Sequence, residues 1–122
     1  MTSKKSILVA EDDASMARLI SYKLNTAGYE VEIAKDGGKV LDQLGENDYN
    51  ALVLDLMLPV LSGEQVLKKL REKSFDIPVL ILSAKSQEKD ILSSLKSGAD
   101  EYMTKPFKPD ELLLRLKKML ES

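Results

Sequence analysis

The chain has 122 residues, of which 43% are hydrophobic and 31% are charged, and its formal net charge is -2. This length and balance predict one soluble globular domain rather than a disordered segment. The sequence contains neither cysteine nor histidine. It can therefore form no disulfide and carry out no thiolate catalysis, and it lacks the side chains that zinc and copper usually need as ligands. A bound metal ion is therefore expected to be a hard, oxygen-bound cation such as Mg²⁺.

The sequence also bears on location. No apolar run approaches the roughly 20 residues that a membrane helix needs, and the polar start, residues 1–6, lacks the apolar region of a signal peptide. Lys4 and Lys5 are too few to form a nucleic-acid-binding patch. We therefore expect a cytoplasmic protein that contacts no membrane and binds no nucleic acid directly.

Five short segments with strand patterns alternate with five segments of helical spacing. The predicted strands are residues 5–10, 29–34, 51–54, 77–82 and 101–103. The first predicted helix covers residues 14–27, and the second runs from the Gly37-Gly38 break to Gly45. After a loop over residues 59–63, the third helix carries Val66, Leu67 and Leu70, the fourth carries Ile91, Leu92 and Leu95 up to Gly98, and the fifth covers residues 109–120.

Strict alternation of strands and helices predicts the α/β class, with a doubly wound parallel sheet joined by right-handed crossovers. We expect five strands in the flavodoxin-like order 2-1-3-4-5 with five flanking helices. Near-continuous apolar strands such as residues 79–82 fit burial on both faces of such a sheet. No linker or low-complexity stretch interrupts the pattern, so residues 1–122 are expected to form one domain.

Polar side chains follow the predicted strands at the point where each strand ends: Glu11, Asp12, Asp55, Ser83 and Lys105. The carboxyl ends of parallel strands open into one crevice, which is where such sheets bind ligands. Clustered carboxylates repel one another unless a cation compensates them, and Mg²⁺ accepts carboxylate and phosphate oxygens. This pattern predicts a phosphate-handling site with Asp55 as nucleophile, Lys105 as fixed cation and Ser83 as hydroxyl donor.

Four stretches together are specific: ILVAEDD at residues 7–13, LDLMLP at 54–59, LSA at 82–84 and GADEYMTKPF at 98–107. With them the chain resembles, over its whole length, the receiver domains of two-component response regulators. The resemblance implies that Asp55 accepts a phosphoryl group from a phosphohistidine on a sensor histidine kinase or a phosphotransfer protein. It further implies that Mg²⁺ is held by Glu11, Asp12, Asp55 and the backbone carbonyl of Met57.

The resemblance also assigns roles to residues beyond the acidic cluster. Lys105 would pair with the phosphoryl oxygens, and the Lys105-Pro106 bond would be cis. Ser83 and Tyr102 occupy the family's switch positions, where the hydroxyl moves toward the phosphoryl group and the aromatic ring turns inward. Asp13 is expected to cap the following helix rather than bind metal.

The last predicted helix is apolar around much of its circumference, through Leu112, Leu113, Leu114, Leu116, Met119 and Leu120. Such breadth indicates either a wide core stripe or apolar surface that a partner covers. By resemblance, helix 4, strand 5 and helix 5 would form a homodimer face. The charged residues of that face are Lys96, Asp100, Glu101 and Arg115.

The sequence therefore favours a phosphorylation-controlled signalling switch over an enzyme that turns over a free metabolite. Two alternatives stay open: a receiver-like binding module that works without phosphorylation, and a Mg²⁺-dependent phosphatase of the haloacid dehalogenase type. The phosphatase class has a second aspartate two residues after its nucleophile, where this chain has Met57. The sequence also leaves open whether the domain binds its partners directly or belongs to a longer regulator with a separate DNA-binding module.

Met57 and Lys85 lie two residues past Asp55 and Ser83, respectively. By resemblance, both side chains flank the path of the water that hydrolyses the phosphoryl group. A bulky Met57 and a long Lys85 are expected to hinder that water and prolong the phosphorylated state.

Overall fold

The computed structural model describes residues 4–121, so residues 1–3 of the predicted polar start and Ser122 lie outside the described part. Five strands alternate with five helices, as the sequence predicts. The strands are β1 (Ser6–Ala10), β2 (Glu30–Ala34), β3 (Ala51–Asp55), β4 (Val79–Ser83) and β5 (Glu101–Thr104). The helices are α1 (Ala14–Thr26), α2 (Gly37–Glu46), α3 (Gly63–Glu72), α4 (Glu88–Lys96) and α5 (Pro109–Glu121).

All five strands are parallel and lie in the order β2-β1-β3-β4-β5, which confirms the predicted fold class and strand order. The register is regular across the sheet: Val9 pairs with both Ile33 and Val53. At the carboxyl edge Asp55 pairs with Leu82. The strands therefore deliver their last residues to one edge of the sheet.

Successive strand residues point to opposite faces of the sheet. Both faces are buried because helices cover each of them. One face packs against α2 and α3 through Leu8, Ala10, Leu52, Leu54, Val79, Ile81, Val40, Leu44, Val66, Leu67 and Leu70. The other face packs against α1 and α5 through Ile7, Val9, Ala51, Val53, Leu80, Leu82, Met103, Ile20, Leu24, Leu112 and Leu116. This double burial fixes the backbone from which the strand-end side chains project.

The start of α2 differs from the sequence prediction. Gly37 and Gly38 form the first turn of the helix rather than a break before it. The carboxylate of Asp36 accepts a hydrogen bond from the N–H of Lys39 and caps the helix just before Gly37. Glycine is required at position 37, since a Cβ atom there would lie 2.1 Å from the carbonyl oxygen of Leu61.

β4 begins at Val79, two residues later than predicted. Pro78 has no N–H to donate to a sheet, and the carbonyl of Ile77 accepts a hydrogen bond from the Arg71 guanidinium at 3.0 Å instead of a strand partner. Ile77 is apolar because it is buried in the core, although it lies outside the strand.

Arg71, near the end of α3, ties the ends of several elements together. Its guanidinium donates to the carbonyls of Phe75, Ile77 and Gly98, with the shorter of two bonds to Gly98 at 2.7 Å. It also lies 3.5 Å from Asp100, whose carboxylate accepts from the N–H of Val79 at 2.8 Å. The turn between α4 and β5 is therefore anchored to α3.

Replacing Arg71 with lysine should remove most of these bonds, because an ammonium cannot reproduce the fork of a guanidinium. We expect a loss of about 2–3 kcal/mol of unfolding free energy, or about 8 °C in melting temperature. Thermal unfolding followed by circular dichroism measures the change. Arg115→Lys is the matched control, since the ion pairs of Arg115 are half-exposed and contribute little to stability. Equal losses of melting temperature in both variants would contradict the anchoring role of Arg71.

Candidate functional site

The side chain of Glu11 enters the crevice from the end of β1. The backbone N–H of Glu11 donates to the carbonyl of Ala34 at 3.0 Å, so the β1–β2 ladder continues one residue beyond the strand. The side chain is only 2% exposed, and one carboxylate oxygen accepts a hydrogen bond from the N–H of Asp13 at 3.2 Å. Asp12, next along the chain, is exposed. Glu11 is thus held rigidly, whereas Asp12 faces solvent.

Asp55 is the last residue of β3 and is 5% exposed. One of its carboxylate oxygens accepts from the N–H of Met57 at 2.9 Å. The other accepts from the ammonium of Lys105, also at 2.9 Å. Both oxygens are therefore oriented, and the Asp55 carboxylate is preorganised.

Lys105 follows β5 directly, and its N–H donates to the carbonyl of Ser83 at 2.8 Å. The Lys105-Pro106 peptide bond is cis, as predicted. The ammonium bridges two carboxylates that come from different strands, at 2.7 Å from Glu11 and 2.9 Å from Asp55. The structure thus brings together three of the strand-end residues that the sequence singles out.

Burial and the pairing of charges act in opposite directions on the pKa values of this cluster. Burial raises the pKa of the Glu11 carboxyl above its ordinary value, and the charge of Asp55 adds to the increase, while the bonds from Lys105 and Asp13 oppose it. Burial alone lowers the pKa of Lys105, but its hydrogen bonds to Glu11 and Asp55 and the attraction of both charges outweigh burial and raise it. Lys105 is therefore a permanent cation at neutral pH.

The acidic cluster has the chemistry of a hard-cation site. One carboxylate oxygen from each of Glu11, Asp12 and Asp55 lies within 4.8 Å of the others. Lys105 offsets only part of this negative charge, and oxygen atoms are the ligands that Mg²⁺ prefers. The donor set therefore fits a magnesium ion, with Asp12 open to solvent for the waters that Mg²⁺ retains.

The backbone of Lys85 joins Ser83 and Tyr102. The hydroxyl of the fully buried Ser83 accepts from the N–H of Lys85 at 3.0 Å. The hydroxyl of Tyr102 donates to the carbonyl of Lys85 at 2.8 Å, and the ring is buried. The Lys85 ammonium pairs with Glu64 of α3 at 3.2 Å, a long-range contact that no local sequence pattern predicts.

Asp13 caps α1, as predicted. Its carboxylate accepts from the N–H groups of Ser15 and Met16 at 2.9 Å and 3.1 Å. This local motif is the expected signature of an aspartate just before a helix.

The face formed by α4, β5 and α5 is mostly paired within the domain. Arg115 contacts Glu101 at 3.1 Å and Glu111 at 3.0 Å. Asp100 turns toward Arg71, and Lys96 lies in the last turn of α4. Part of the apolar surface of α5 belongs to the core, because Leu112 and Leu116 are fully buried. Leu114, in contrast, is 57% exposed.

A parallel sheet in this strand order, with an acidic crevice and a bridging lysine at its carboxyl edge, defines a flavodoxin-like α/β domain with a charged site at the strand ends. The chain belongs to the response regulator receiver domain family, whose family model matches residues 7–117. Receiver domains are signalling domains that generally bind Mg²⁺ at an acidic pocket. Response regulators receive phosphoryl groups from histidine kinases.

Similar proteins include transcription regulators. The chain is 43% identical over 116 residues to the alkaline phosphatase synthesis transcriptional regulatory protein PhoP of Bacillus subtilis, covering 95% of this chain and 48% of PhoP. It is 44% identical over 111 residues to the transcriptional regulatory protein DltR of Streptococcus agalactiae, covering 91% of this chain and 50% of DltR. The chain thus spans about half the length of these curated relatives.

Solved receiver structures are also similar. The Francisella response regulator 1452 receiver domain superposes with a TM-score of 0.94 at 38% identity, covering 97% of this chain and 98% of that chain. Response regulator protein TrrA of Thermotoga maritima, in complex with Mg²⁺-BeF, gives a TM-score of 0.84 at 34% identity, covering 94% and 98%. Within residues 4–121, every helix is too short or too polar to cross a membrane.

Removing one charge from the acidic cluster should stabilise the metal-free domain. In Asp12→Asn the repulsion from two neighbouring carboxylates disappears, and about 1 kcal/mol is expected for two unit charges at this separation in water. We expect the melting temperature in EDTA to rise by about 3 °C. Asp13→Asn is the control because asparagine caps helices equally well; a larger increase in that variant would argue against repulsion within the cluster.

Proposed function

We propose that this domain is a phosphorylation-controlled signalling switch of the cytoplasm. In this proposal Asp55 accepts a phosphoryl group from a histidine of a sensor kinase or phosphotransfer protein, in a Mg²⁺-dependent reaction. The observation that carries the proposal is the Asp55 carboxylate itself, which is buried and oriented between the Lys105 ammonium and the N–H of Met57. The receiver family, to which the chain belongs, supports the same reaction class.

The chemistry follows from these contacts. A carboxylate oxygen of Asp55 attacks the phosphorus, the P–N bond to the donor imidazole breaks with its electron pair, and the imidazole nitrogen takes up a proton. Lys105 leaves Asp55 and pairs with a phosphoryl oxygen, which stabilises the charge of the transferred group. Glu11, Asp12, Asp55 and the backbone carbonyl of Met57 would hold Mg²⁺, which neutralises phosphoryl charge when bound.

The switch would act through Lys85. Turning the Ser83 hydroxyl toward the phosphoryl group breaks its bond with the N–H of Lys85. Because the Lys85 carbonyl is the partner of Tyr102, the loop between β4 and α4 and the Tyr102 ring respond to the same event. Phosphorylation would thus shift a two-state equilibrium of this loop and of the neighbouring face.

The output of the switch would be a partner-binding face on α4, β5 and α5, with homodimerisation as the proposed mode. Leu92 and Leu95 on α4 and Leu114 on α5 are exposed there. The charges of Arg115 and Glu101 would set the register of the two copies rather than their affinity. The transcription regulators among the relatives support an output module outside this domain.

The direct test is intact mass after incubation with acetyl phosphate, with and without Mg²⁺. We expect wild type to gain one phosphoryl group only with Mg²⁺, and Asp55→Asn to gain none. Asp76→Asn, a change at an exposed aspartate on the α3–β4 loop, should behave as wild type. A folded wild-type protein that gains no mass would favour a module that binds without phosphorylation.

The lifetime of the phosphorylated state tests the roles of Met57 and Lys85. Met57 is 63% exposed at the crevice, and Lys85 is held by Glu64. The double variant Met57→Asn, Lys85→Glu should lose its phosphoryl group severalfold faster, because water then gains access and an acceptor to orient it. Decay of the phosphorylated mass after removal of the donor measures this rate, and an unchanged rate would remove these two residues from the account.

A further inference from the structure

The loop between β4 and α4, residues 84–87, is held by contacts at one residue, Lys85. The Lys85 N–H donates to the hydroxyl of Ser83 at 3.0 Å, and the Lys85 carbonyl accepts from the hydroxyl of Tyr102 at 2.8 Å. The Lys85 ammonium lies 3.2 Å from the carboxylate of Glu64 on α3. The other three residues of the loop are exposed.

The helix that follows this loop is fixed at its end rather than at its start. Gln87 is the N-cap of α4, and its side chain makes no capping hydrogen bond. The buried residue of α4 is Ser94, in the last turn of the helix. Beyond that turn, the carbonyl of Gly98 accepts a hydrogen bond from Arg71 at 2.7 Å. The contacts of Lys85 therefore decide where the loop and the start of α4 lie.

Glu64, in contrast, lies on backbone that is fixed to the end of β3. The N–H of Gly63 donates to the carbonyl of Leu56 at 2.9 Å. A Cβ atom on Gly63 would lie 2.3 Å from the carbonyl oxygen of Asp55, so only glycine permits this close approach. A capping box closes the first turn of α3. The contact between Lys85 and Glu64 thus connects the β4–α4 loop to a part of the domain that is held in place beside Asp55.

The Lys85 and Glu64 side chains form an ion pair. The hydrogen bond to Glu64 and the attraction of its charge raise the pKa of Lys85 above its ordinary value. Glu64 lies in the first turn of α3, where the helix dipole favours a negative charge. The two side chains are 40% and 54% exposed, so the pair contributes little to overall stability. A contribution of this size is still enough to bias an equilibrium between two positions of one loop.

We propose that the Lys85–Glu64 ion pair is a latch for the resting arrangement of the β4–α4 loop, and that Glu64 is a positioning residue that acts through Lys85. This inference rests on the proposed function, in which the bond between Ser83 and the Lys85 N–H breaks on phosphorylation. The loop is then released from β4, whereas the start of α3 stays fixed to β3. The latch therefore opposes the change and lowers the fraction of unphosphorylated domain in the active arrangement.

The experiment measures the dissociation constant of beryllofluoride, which mimics a phosphoryl group on aspartate, at saturating Mg²⁺ for wild type, Glu64→Ala and Lys85→Met. A ligand that favours the active arrangement binds more tightly when the resting arrangement loses a contact. We expect both variants to bind about threefold more tightly, a ratio that an exposed ion pair can supply. The mimic does not undergo hydrolysis of a phosphoryl group, so the role of Lys85 in phosphoryl lifetime does not enter.

The two variants change the local charge in opposite directions. Loss of the negative charge of Glu64 alone would favour an anionic mimic, and loss of the positive charge of Lys85 would disfavour it. Tighter binding in both variants therefore reports the latch rather than local charge. The double variant should bind no more tightly than either single variant, because one substitution already breaks the pair. Glu72→Ala makes the same change at the other end of α3 and should bind as wild type does.

A second measurement needs no ligand. Hydrogen exchange of the backbone amide at position 85 should be about threefold faster in Glu64→Ala and in Lys85→Met, because the loop opens more often without the latch. The amide of Leu82, inside β4, should exchange at the wild-type rate in both variants. That result shows that the sheet is intact and that the change is confined to the loop.

Four other outcomes count against these claims. Wild-type affinity for the mimic in both variants would overturn the inference and leave the proposed function intact. Opposite changes in the two variants would also overturn it, because charge alone would explain them. Weaker binding in both would place the ion pair in the active arrangement instead. A wild-type domain that neither binds the mimic nor gains a phosphoryl group from acetyl phosphate would refute the proposed function and the latch with it.

Discussion

The ion pair of Lys105 with Glu11 and Asp55 is the interaction on which the site depends. Its three residues lie at the ends of β1, β3 and β5 and are far apart in the sequence. Without a cation between them, two buried carboxylates at this edge would repel each other and destabilise the fold. In the proposed function the same cation would leave one carboxylate for a phosphoryl oxygen, so the contact that stabilises the resting site would also prepare it for phosphoryl transfer.

The parallel sheet makes this arrangement possible. Burial on both faces fixes the strands, and the ladder extends one residue further at Glu11 and at Lys105. The side chains of the candidate site therefore project from backbone that the sheet holds in place. The β4–α4 loop is held by the side chains of Ser83, Tyr102 and Glu64, all of which contact Lys85. In the proposed function a change at Ser83 would therefore reach the surface through this one residue.

Local patterns in the sequence predicted much of this. Continuous apolar runs marked the inner strands, Asp13 marked a helix start, and acids at strand ends marked the crevice. Patterns of this kind could not reveal Arg71, whose partner Gly98 lies on the far side of β4 in sequence. The positive φ of Val60, +72°, was equally unpredictable, since the carbonyl of Pro59 beside it accepts a hydrogen bond from the N–H of Gly37 in another element. The early start of α2 was missed since two glycines usually interrupt a helix.

The most direct measurement of the central claim is a crystal structure of the domain with Mg²⁺ and beryllofluoride, a stable mimic of the phosphoryl group. The account predicts the mimic on Asp55, the Lys105 ammonium on one of its fluorides, and the Ser83 hydroxyl turned away from the N–H of Lys85 toward another. A mimic bound elsewhere, or Lys105 still paired with both Glu11 and Asp55 in the loaded domain, would contradict it.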